Sequence, residues 1–329
     1  MNGGSGRHDA DDTRQTIEAA MREAGRVYRI FVIENVEQIQ ATVQEAVDAA
    51  QEQNAVVVAV GGDGTINAVA NLVLDSGCLF GALPQGTFNY FGRTHGIPEE
   101  IAASLQDLLH GEAVPVQVGQ VNGHVFLVNA SVGLYPELLE DRESFKQKYG
   151  RSRLVAIGAA IATVFGRHRQ LQLTLEQDGK QTMLRTTTLF IGNNRLQLEQ
   201  VGMPQAEAVV QGQLAAIAVR PLGKLAMLWL GTCGALGRLG DAEHVVGFSF
   251  RSLTVATRSK FRNASAHSQS TFKKQPGRQI KVAADGEIMY LQTPLEFQVA
   301  PQPLMLIKRR HENEANVDKR ELELGGNAA

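Results

Sequence analysis

The segment VVVAVGGDGTINAV at positions 56–69 constrains the fold of this chain more than any other. Positions 55–60 form an apolar run rich in β-branched residues without polar alternation, which is typical of a parallel strand buried on both faces. The turn GGDGT follows at once, and 66–74 has the apolar pattern of a helix. A buried strand that passes through a glycine turn into a helix predicts an α/β domain built on a mostly parallel sheet.

The same alternation of helix and strand patterns continues on both sides of this segment. Apolar residues at helical spacing predict helices, and short apolar runs predict strands. The predicted helices lie at 13–24, 36–53 and 98–109, and the predicted strands at 28–33 and 79–83. We therefore expect the α/β domain to extend over 1–113.

The pattern of apolar and turn residues changes after Gly111. Short apolar runs such as HVFLVNASVG, QLQLTLEQDG and LAAIAVRP are separated by turn residues, which predicts a β-rich second domain, most simply a sandwich, over 114–300. Two apolar stretches interrupt it, one with helical spacing at 154–165 and one at 222–236. Positions 309–329 are nearly all charged or small, and we expect a disordered tail there.

The composition excludes several classes of protein. A formal net charge of −2 leaves no basic excess for a protein whose main partner is nucleic acid. The two cysteines, Cys78 and Cys233, give neither a disulfide framework nor a zinc spacing. The N-terminus lacks the apolar core of a signal peptide, and no apolar run reaches the ~18 residues of a membrane span. We expect a cytoplasmic protein that does not bind nucleic acid.

The GGDGT turn has the features of an anion site. Glycines let backbone amides approach a phosphate closely, and the start of a helix adds a partial positive charge. The turn lacks the GK[ST] of a Walker A loop and the GxGxxG of a dinucleotide site. Asp63 would repel phosphate unless a magnesium ion bridges them, so we predict Mg²⁺ here. The alternative is a tight connection in which Asp63 caps the helix.

Two more glycine-polar segments are expected beside GGDGT. NGGSG, at 2–6, precedes the first predicted helix, and LPQGTFN, at 83–89, follows the strand after GGDGT. Loops at the carboxyl ends of neighbouring parallel strands meet at one crevice of the sheet. We therefore predict that the three segments converge, although each of them alone is also an ordinary turn.

These motifs, in this order, together with GQVNGHVFLVNASVG and a DGE triplet at 285–287, resemble the diacylglycerol kinase catalytic domain family. The resemblance runs from Asn2 to about 308. It implies an α/β domain similar to that of NAD kinases, to which a last strand at 301–308 returns, and a β-sandwich domain, with ATP bound between the two. The implied reaction is magnesium-dependent transfer of the γ-phosphate of ATP to a lipid hydroxyl such as that of diacylglycerol.

The resemblance also implies roles for individual residues. Glu287 corresponds to the proposed catalytic base, Asp285 would orient the metal and its water, and Asp63 would bind the metal. The residues implied to bind the nucleotide are Asn2, Ser5, Gly6, Gly62, Asp63, Gly64, Thr65, Asn67, Gly86 and Thr87. Without the other motifs, DGE is more simply a hairpin turn with an exposed acid.

Several positions depart from the family pattern. Gly3 replaces a proline of the first loop, and Ala68 and Tyr90 replace acidic residues that usually accompany the other two. Gln117 and Gln211 replace aspartates associated with metal, and neither glutamine carries a negative charge. The strand that usually leads into the first loop is absent, which suggests a shortened start of the chain.

A local basic surface would suit a kinase of lipids. Positions 251–281 contain many lysines and arginines and no acidic residue, which predicts peripheral contact with anionic headgroups, and a solvated loop is the alternative. Basic residues also bracket the apolar helix within 146–169, for which packed core is the simpler interpretation. Two other functions remain open: a kinase of a soluble substrate, as in NAD kinases, and a non-catalytic nucleotide- or lipid-binding protein.

Overall fold

The computed structural model of the chain describes residues 1, 7–134, 136, 170–257 and 278–309. The chain separates into two compact units. Unit 1 comprises Met1–Val116 and the chain from Gln302 onward, and unit 2 comprises Gln117–Pro301. Outside the described residues lie the loop at 2–6, the helix predicted at 154–165 with its basic flanks, most of the basic stretch at 251–281, and the predicted tail after 309.

Unit 1 is built on one four-stranded sheet. Its helices are α1 (Arg7–Glu23), α2 (Ile39–Gln53), α3 (Asp63–Val73), α4 (Tyr90–Thr94) and α5 (Ile101–His110), with a 3₁₀ turn at Val36–Gln38. Its strands are β1 (Val56–Gly61), β2 (Leu79–Pro84), β3 (Glu112–Val116) and β16 (Leu304–Lys308). The α/β class predicted from the apolar pattern is confirmed.

The order of strands in the sheet of unit 1 is β1, β2, β16, β3. β1 and β2 pair in parallel from Val56 opposite Leu79 to Gly61 opposite Pro84, so the two strands end level with each other. β16 runs parallel to β2 and antiparallel to β3. The chain therefore returns to the sheet of unit 1 after it has formed unit 2.

One predicted strand of unit 1 is wrong. Within 28–33 only Ile33 makes an isolated bridge, and the rest is extended backbone without a strand partner in the described residues. Met1 N donates to Phe31 O at 2.8 Å, and Ile33 N donates to Met1 O at 2.8 Å. Among the described residues, these bonds pair the apolar run with Met1 alone, and one residue does not form a ladder.

His95 is a half-buried histidine of unit 1. It follows the last turn of α4, and its ring centroid lies 4.6 Å from that of Phe91, which is buried. Burial, and then the nearby Lys308 cation, lower the pKa of His95 to about 3. The imidazole is therefore neutral in the folded protein at neutral pH.

We expect His95 to make the folded state less stable in acid. The unfolded chain takes up this proton near pH 6.5 and the folded chain only near pH 3, so the free energy of unfolding falls as the pH decreases between these values, by about 1.4 kcal/mol per pH unit. In urea unfolding, His95→Gln should flatten this part of the profile. His124→Gln, at an exposed position, controls for the substitution itself. Equal profiles for the wild type and His95→Gln would contradict a neutral imidazole in the folded protein.

Unit 2 contains two antiparallel sheets of six strands each. One has the order β11 (Val245–Phe250), β10 (Leu214–Val219), β9 (Thr188–Gly192), β6 (Asn129–Gly133), β13 (Gln279–Ala284) and β14 (Glu287–Gln292). The other has the order β5 (His124–Phe126), β4 (Gly119–Val121), β15 (Leu295–Val299), β12 (Ser252–Thr257), β7 (Leu171–Gln177) and β8 (Lys180–Thr186).

Side chains from both sheets form the core of unit 2. Leu189, Ile191 and Val282 come from the first sheet, Leu253 and Phe297 come from the second, and all five are fully buried in one cluster. Alternate residues of each strand face this core, as they do when two sheets pack face to face. The β-sandwich predicted from the strand pattern is therefore confirmed.

Helices cover part of the outside of the sandwich. The helices bounded within the described part of unit 2 are α6 (Arg195–Gln200), α7 (Ala206–Val210) and α8 (Lys224–Ala235). Leu198 of α6 and Ala206 of α7 pack against Ala215 and Ile217 on the outer face of β10. α8 contains most of the apolar stretch at 222–236. In the part of the chain that the structure describes, every helix is too short or too polar to cross a membrane.

Candidate functional site

The GGDGT turn joins β1 to α3. Gly62, in an extended conformation (φ −79°, ψ 177°), is the N-cap of the helix that begins at Asp63. The first amides of an α-helix have no acceptor within the helix, so those of this turn can bind an external anion. A Cβ on Gly61 would lie 2.8 Å from the Cβ of Thr65, which explains the glycine that ends β1. The turn thus presents the backbone expected of a phosphate loop.

A second turn follows β2, the neighbouring parallel strand. Gln85 N donates to Gly61 O at 2.8 Å, which prolongs the pairing of the two strands into their turns. Gly86 N donates to Asn89 Oδ1 at 2.7 Å, and Asn89 has the left-handed conformation (φ 47°) that asparagine tolerates well. Gln85 Nε2 also donates to Thr13 Oγ1 of α1 at 2.6 Å. The second turn is therefore fixed from three directions.

The two turns touch through their glycines. A Cβ on Gly86 would lie 2.9 Å from the Cα of Gly62, and a Cβ on Gly62 would lie 3.3 Å from the Cα of Gly86. A side chain at Gly86 would therefore require one backbone to move. GGDGT and LPQGTFN meet as predicted, and these glycines are needed for that meeting as well as for any approach of an anion.

Asp63 ties the two turns together. Its Oδ1 accepts a hydrogen bond from Phe91 N at 3.1 Å, and its Oδ2 accepts one from Tyr90 N at 3.2 Å. Both donors lie in the first turn of α4, whose amide dipoles compensate the negative charge. The N-cap of α3 is Gly62 and Asp63 is the first helical residue, so the alternative in which Asp63 is the N-cap is wrong. A carboxylate can therefore stand at the edge of an anion site.

The other residues predicted to bind nucleotide differ in accessibility. Thr65 and Asn67, on α3, are only 8% and 5% exposed, so they support the turn from within. Gly64 is half-buried and Thr87 is exposed, so a ligand can reach both. The sequence analysis did not single out Asn89. Its position between a glycine turn and a helix, where asparagine often adopts a left-handed conformation, is the signal that could have identified it.

The DGE triplet forms the turn of the β13–β14 hairpin in unit 2. Asp285 and Gly286 have left-handed conformations (φ 47° and 89°), as the two-residue turn of a hairpin requires. The Asp285 carboxylate accepts hydrogen bonds from three successive amides, those of Leu127, Val128 and Asn129, at 2.6, 2.9 and 2.8 Å. The carboxylate therefore holds the turn against the chain that leads into β6.

Glu287 begins β14 directly beside this fixed turn. Its side chain keeps an exposed surface, while partial burial raises the pKa of its carboxyl group above the ordinary value. A raised pKa makes the carboxylate a stronger proton acceptor. Glu287 thus combines a fixed backbone, access from solvent and increased basicity.

Comparisons with known proteins identify relatives of this arrangement. Residues 1–121 match the family model described as the diacylglycerol kinase catalytic domain. The family resemblance is thereby confirmed. The "Diacylglycerol kinase" of Bacillus subtilis (strain 168) is 36% identical over 139 residues, which cover 41% of this chain and 45% of that protein. A "Probable lipid kinase YegS-like" of Pseudomonas aeruginosa is 39% identical over 130 residues, 39% of this chain and 42% of that protein. The matched segment spans less than half the length of each relative.

A solved structure has a fold similar to that of this chain over nearly its whole length. A diacylglycerol kinase from Bacillus anthracis str. Sterne has a TM-score of 0.64 at 19% sequence identity, over 94% of this chain and 95% of that one. At this identity the likeness concerns the fold alone. The predicted fold class, an NAD kinase-like α/β domain followed by a β-rich domain, is confirmed.

Gln117 and Gln211 are the two glutamines that the sequence analysis compared with metal-associated aspartates. Gln117 Nε2 donates to Asn193 Oδ1 at 2.7 Å and to Gln213 O at 3.1 Å, so the side chain belongs to a network of amides. Gln211 is the C-cap of α7. Among the described residues, no three His, Cys, Asp or Glu side chains group closely enough to hold a metal ion.

Asp63→Asn should weaken the link between the two turns. Asparagine has a single acceptor oxygen, and its NH₂ group would face an amide donor, so one of the two hydrogen bonds is lost. We expect the free energy of unfolding, measured with urea, to fall by about 1–3 kcal/mol. Asp75→Asn removes the same charge at an exposed position of unit 1 and is the matched control. Equal stability of the two variants would show that Asp63 does not hold the turns.

Proposed function

We propose that the protein is an ATP-dependent lipid kinase, which transfers the γ-phosphate of ATP to a lipid hydroxyl such as that of diacylglycerol. The observation that carries this proposal is the pair of glycine turns at the ends of β1 and β2, joined by Asp63. These turns lie in the segment that matches the diacylglycerol kinase catalytic domain. The names of the related proteins supply the class of acceptor.

The proposed phosphate contacts come from backbone amides of the two turns. Gly62, Gly64 and Gly86 have no side chain to obstruct an anion, and the hydroxyl of exposed Thr87 can donate a further hydrogen bond. Gly86 N already donates to Asn89 Oδ1, so Gly86 contributes its lack of a side chain rather than its amide. The backbone of both turns is held in place before a ligand arrives, which lowers the entropic cost of binding. Asn2, Ser5 and Gly6 remain predicted contacts from the family resemblance, and Thr65 and Asn67 would stabilise the loop that makes the others.

Asp63 fits a magnesium ion that arrives with the nucleotide. Each of its oxygens accepts an amide hydrogen bond, and each oxygen of an ionised carboxylate has two lone pairs, so the group can bind a donor and a cation together. Magnesium in kinase sites usually takes one or two carboxylates and completes its shell with phosphate oxygens and water. Ala68 and Tyr90 stand where the family pattern has acidic residues, so fewer carboxylates are present here, which agrees with a magnesium ion that takes one or two. When bound, the ion would neutralise charge on the transferring phosphate.

We assign Glu287 as the general base. Its carboxylate accepts the proton of the lipid hydroxyl as that oxygen forms a bond to the γ-phosphorus, the bond between this phosphorus and the bridging oxygen breaks, and ADP leaves. The raised pKa of Glu287 favours this proton transfer. Asp285, whose carboxylate is engaged with three amides, is better explained as a positioning residue than as a group that handles metal or water.

The acceptor lipid determines where such an enzyme would work. A long-chain lipid stays in a bilayer, so the kinase would have to contact a membrane surface peripherally. We propose a cytoplasmic protein that makes this contact at the inner face of the membrane, where ATP is available.

The proposed reaction is tested by incubating the full chain with labelled ATP, Mg²⁺ and diacylglycerol dispersed in detergent micelles. We expect the label in phosphatidic acid. A reaction with NAD in place of the lipid tests the alternative that the protein is a kinase of a soluble substrate. A nucleotide-binding measurement without any acceptor tests the alternative that it is a non-catalytic binding protein. Label in NADP alone, or nucleotide binding without transfer to either acceptor, would overturn the proposal.

Glu287→Gln should lower kcat by about 10²–10⁴-fold, because it removes the base and leaves the shape of the side chain almost unchanged. In the wild type, activity should be lost as the pH falls through the raised pKa of Glu287, since only the carboxylate can accept a proton. The acidic limb should therefore lie above the ordinary carboxyl range. Both effects are read from pH profiles of kcat with diacylglycerol in micelles.

Two further variants separate catalysis from structure. Glu296→Gln removes the same charge from an exposed position of unit 2 and should keep wild-type kcat. Asp285→Asn should lower both activity and melting temperature, because it loses hydrogen bonds that hold the turn. Full activity of Glu287→Gln would refute the assignment of the base.

A further inference from the structure

α8 exposes an unusually apolar face. Leu225, Trp229 and Leu236 are 79%, 69% and 73% exposed. Their spacing of four and seven residues places all three on one side of the helix. Met227 and Leu230, on the opposite side, are buried and attach the helix to the rest of unit 2. The outward side is therefore not needed to fix the helix in the fold.

An open pocket lies where the chain approaches α8. Its volume is about 500 Å³, and its lining includes Arg185 of β8, Arg220 after β10, and His244 before β11. Arg220 N donates to His244 O at 3.0 Å, so the backbone holds these two residues side by side. Pro221, also in the lining, is four residues before Leu225, so at most ~14 Å of extended chain separates the pocket from the apolar face.

The ionisable residues that line this pocket are all basic. The described residues that line it include two arginines and a histidine and no carboxylate. Arg185 Nη2 donates to Gln170 Oε1 at 2.9 Å, a neutral acceptor that leaves its positive charge uncompensated. In the sequence, positions 208–240 contain Arg220, Lys224 and Arg238 and no acidic residue. Arg238, at the far end of α8, pairs with Asp241 at 3.2 Å, so its charge is compensated there.

We propose that the exposed side of α8 and this basic pocket together form a docking surface for a bilayer that contains anionic phospholipids. The pocket would take a phosphate-bearing headgroup, and Leu225, Trp229 and Leu236 would enter the boundary between headgroups and acyl chains. A helix of 12 residues is about 18 Å long, which is too short to span a bilayer but suits a helix that lies in its surface. Tryptophan is enriched at this depth, where its ring is apolar and its N–H stays near water.

A bilayer fits this surface better than a second copy of the chain does. A stable protein interface usually buries about 800 Å² on each partner. One tryptophan buries at most roughly 250 Å², and the two leucines are smaller, so the three side chains together fall short of that area. The basic pocket would also meet an identical basic pocket in a symmetric dimer, whereas it complements an anionic membrane. Our inference rests on the proposed function only in taking a lipid bilayer as the partner.

Trp229 is the single tryptophan of the chain, so its fluorescence reports on α8 alone. We expect the emission of the full chain to shift to the blue on titration with vesicles of phosphatidylcholine and phosphatidylglycerol, because the exposed indole leaves water. Vesicles of phosphatidylcholine alone should produce a much smaller change. An unmoved emission with the anionic vesicles would overturn the proposal, and so would an equal shift with both compositions.

Paired variants test the two parts of the surface separately. Arg185→Gln with Arg220→Gln should weaken binding to the anionic vesicles by about 30-fold, from the usual contribution of two cations near a membrane. Arg22→Gln with Arg26→Gln changes the charge equally at exposed positions of unit 1 and should bind like the wild type. Leu225→Gln with Leu236→Gln should abolish the blue shift, and Val210→Gln, at another exposed apolar residue, should not. If the arginine pair and the leucine pair of variants both bound the anionic vesicles like the wild type, the proposal would be overturned.

Two controls identify other occupants. A blue shift that depends on protein concentration without lipid would indicate a second copy of the chain, and a shift with soluble glycerol phosphate alone would indicate a soluble ester. Either would overturn the docking surface. Phosphotransfer to diacylglycerol in detergent micelles should be normal in both test pairs, since neither touches the proposed catalytic residues. A normal kinase without the vesicle shift refutes the docking surface alone, and the shift without kinase activity refutes the proposed function alone.

Discussion

The hydrogen bonds from Tyr90 N and Phe91 N to the carboxylate of Asp63 are the interaction on which the candidate site depends. They join the turn after β1 to the helix that follows the turn after β2, so the two glycine turns keep one relative position. The close approach of Gly62 and Gly86 is possible only because neither carries a side chain. A negative charge beside an anion site would ordinarily be unfavourable, and the dipole of α4 offsets it.

The same device occurs in unit 2. Asp285 accepts hydrogen bonds from three amides before β6 and thereby fixes the hairpin turn next to Glu287. In each unit, an aspartate within a glycine turn uses its charge to organise backbone, and the residues that would meet the substrate lie beside it. These hydrogen bonds hold the backbone beside the proposed phosphate contacts and the proposed base in one position. A site in which catalysis depends on positioning requires this.

Local sequence patterns are sufficient to predict much of the fold. β1 and β2 are continuous apolar runs, and glycine turns separate the strands of unit 2. Each of these strands can therefore be recognised from its own residues. The run at 28–33 is an exception, because its pattern resembles a strand while, among the described residues, Met1 alone pairs with it. The family motifs likewise identify GGDGT, LPQGTFN and DGE as candidate site segments from the sequence alone.

The roles of the two aspartates could not be read from the sequence. Asp63 meets amides 27 and 28 residues away, and Asp285 meets amides 156 to 158 residues away. No periodicity or spacing reports contacts of that range. The sequence suggested metal chemistry for both carboxylates, and it gave no sign of the backbone hydrogen bonds that both also accept. The exposure of one face of α8 could not be predicted either. An apolar helix has the same sequence pattern whether its sides are packed or exposed.

The central claim is that the two turns form one binding unit for the phosphates of ATP. Hydrogen–deuterium exchange of the full chain, with and without ATP and Mg²⁺, tests it most directly, because exchange reports on the amides themselves. We predict that ATP slows exchange in peptides covering 61–65 and 85–91 together, and that Asp63→Asn reduces the protection of both. Protection of one turn alone, or of neither at saturating ATP, would contradict the claim.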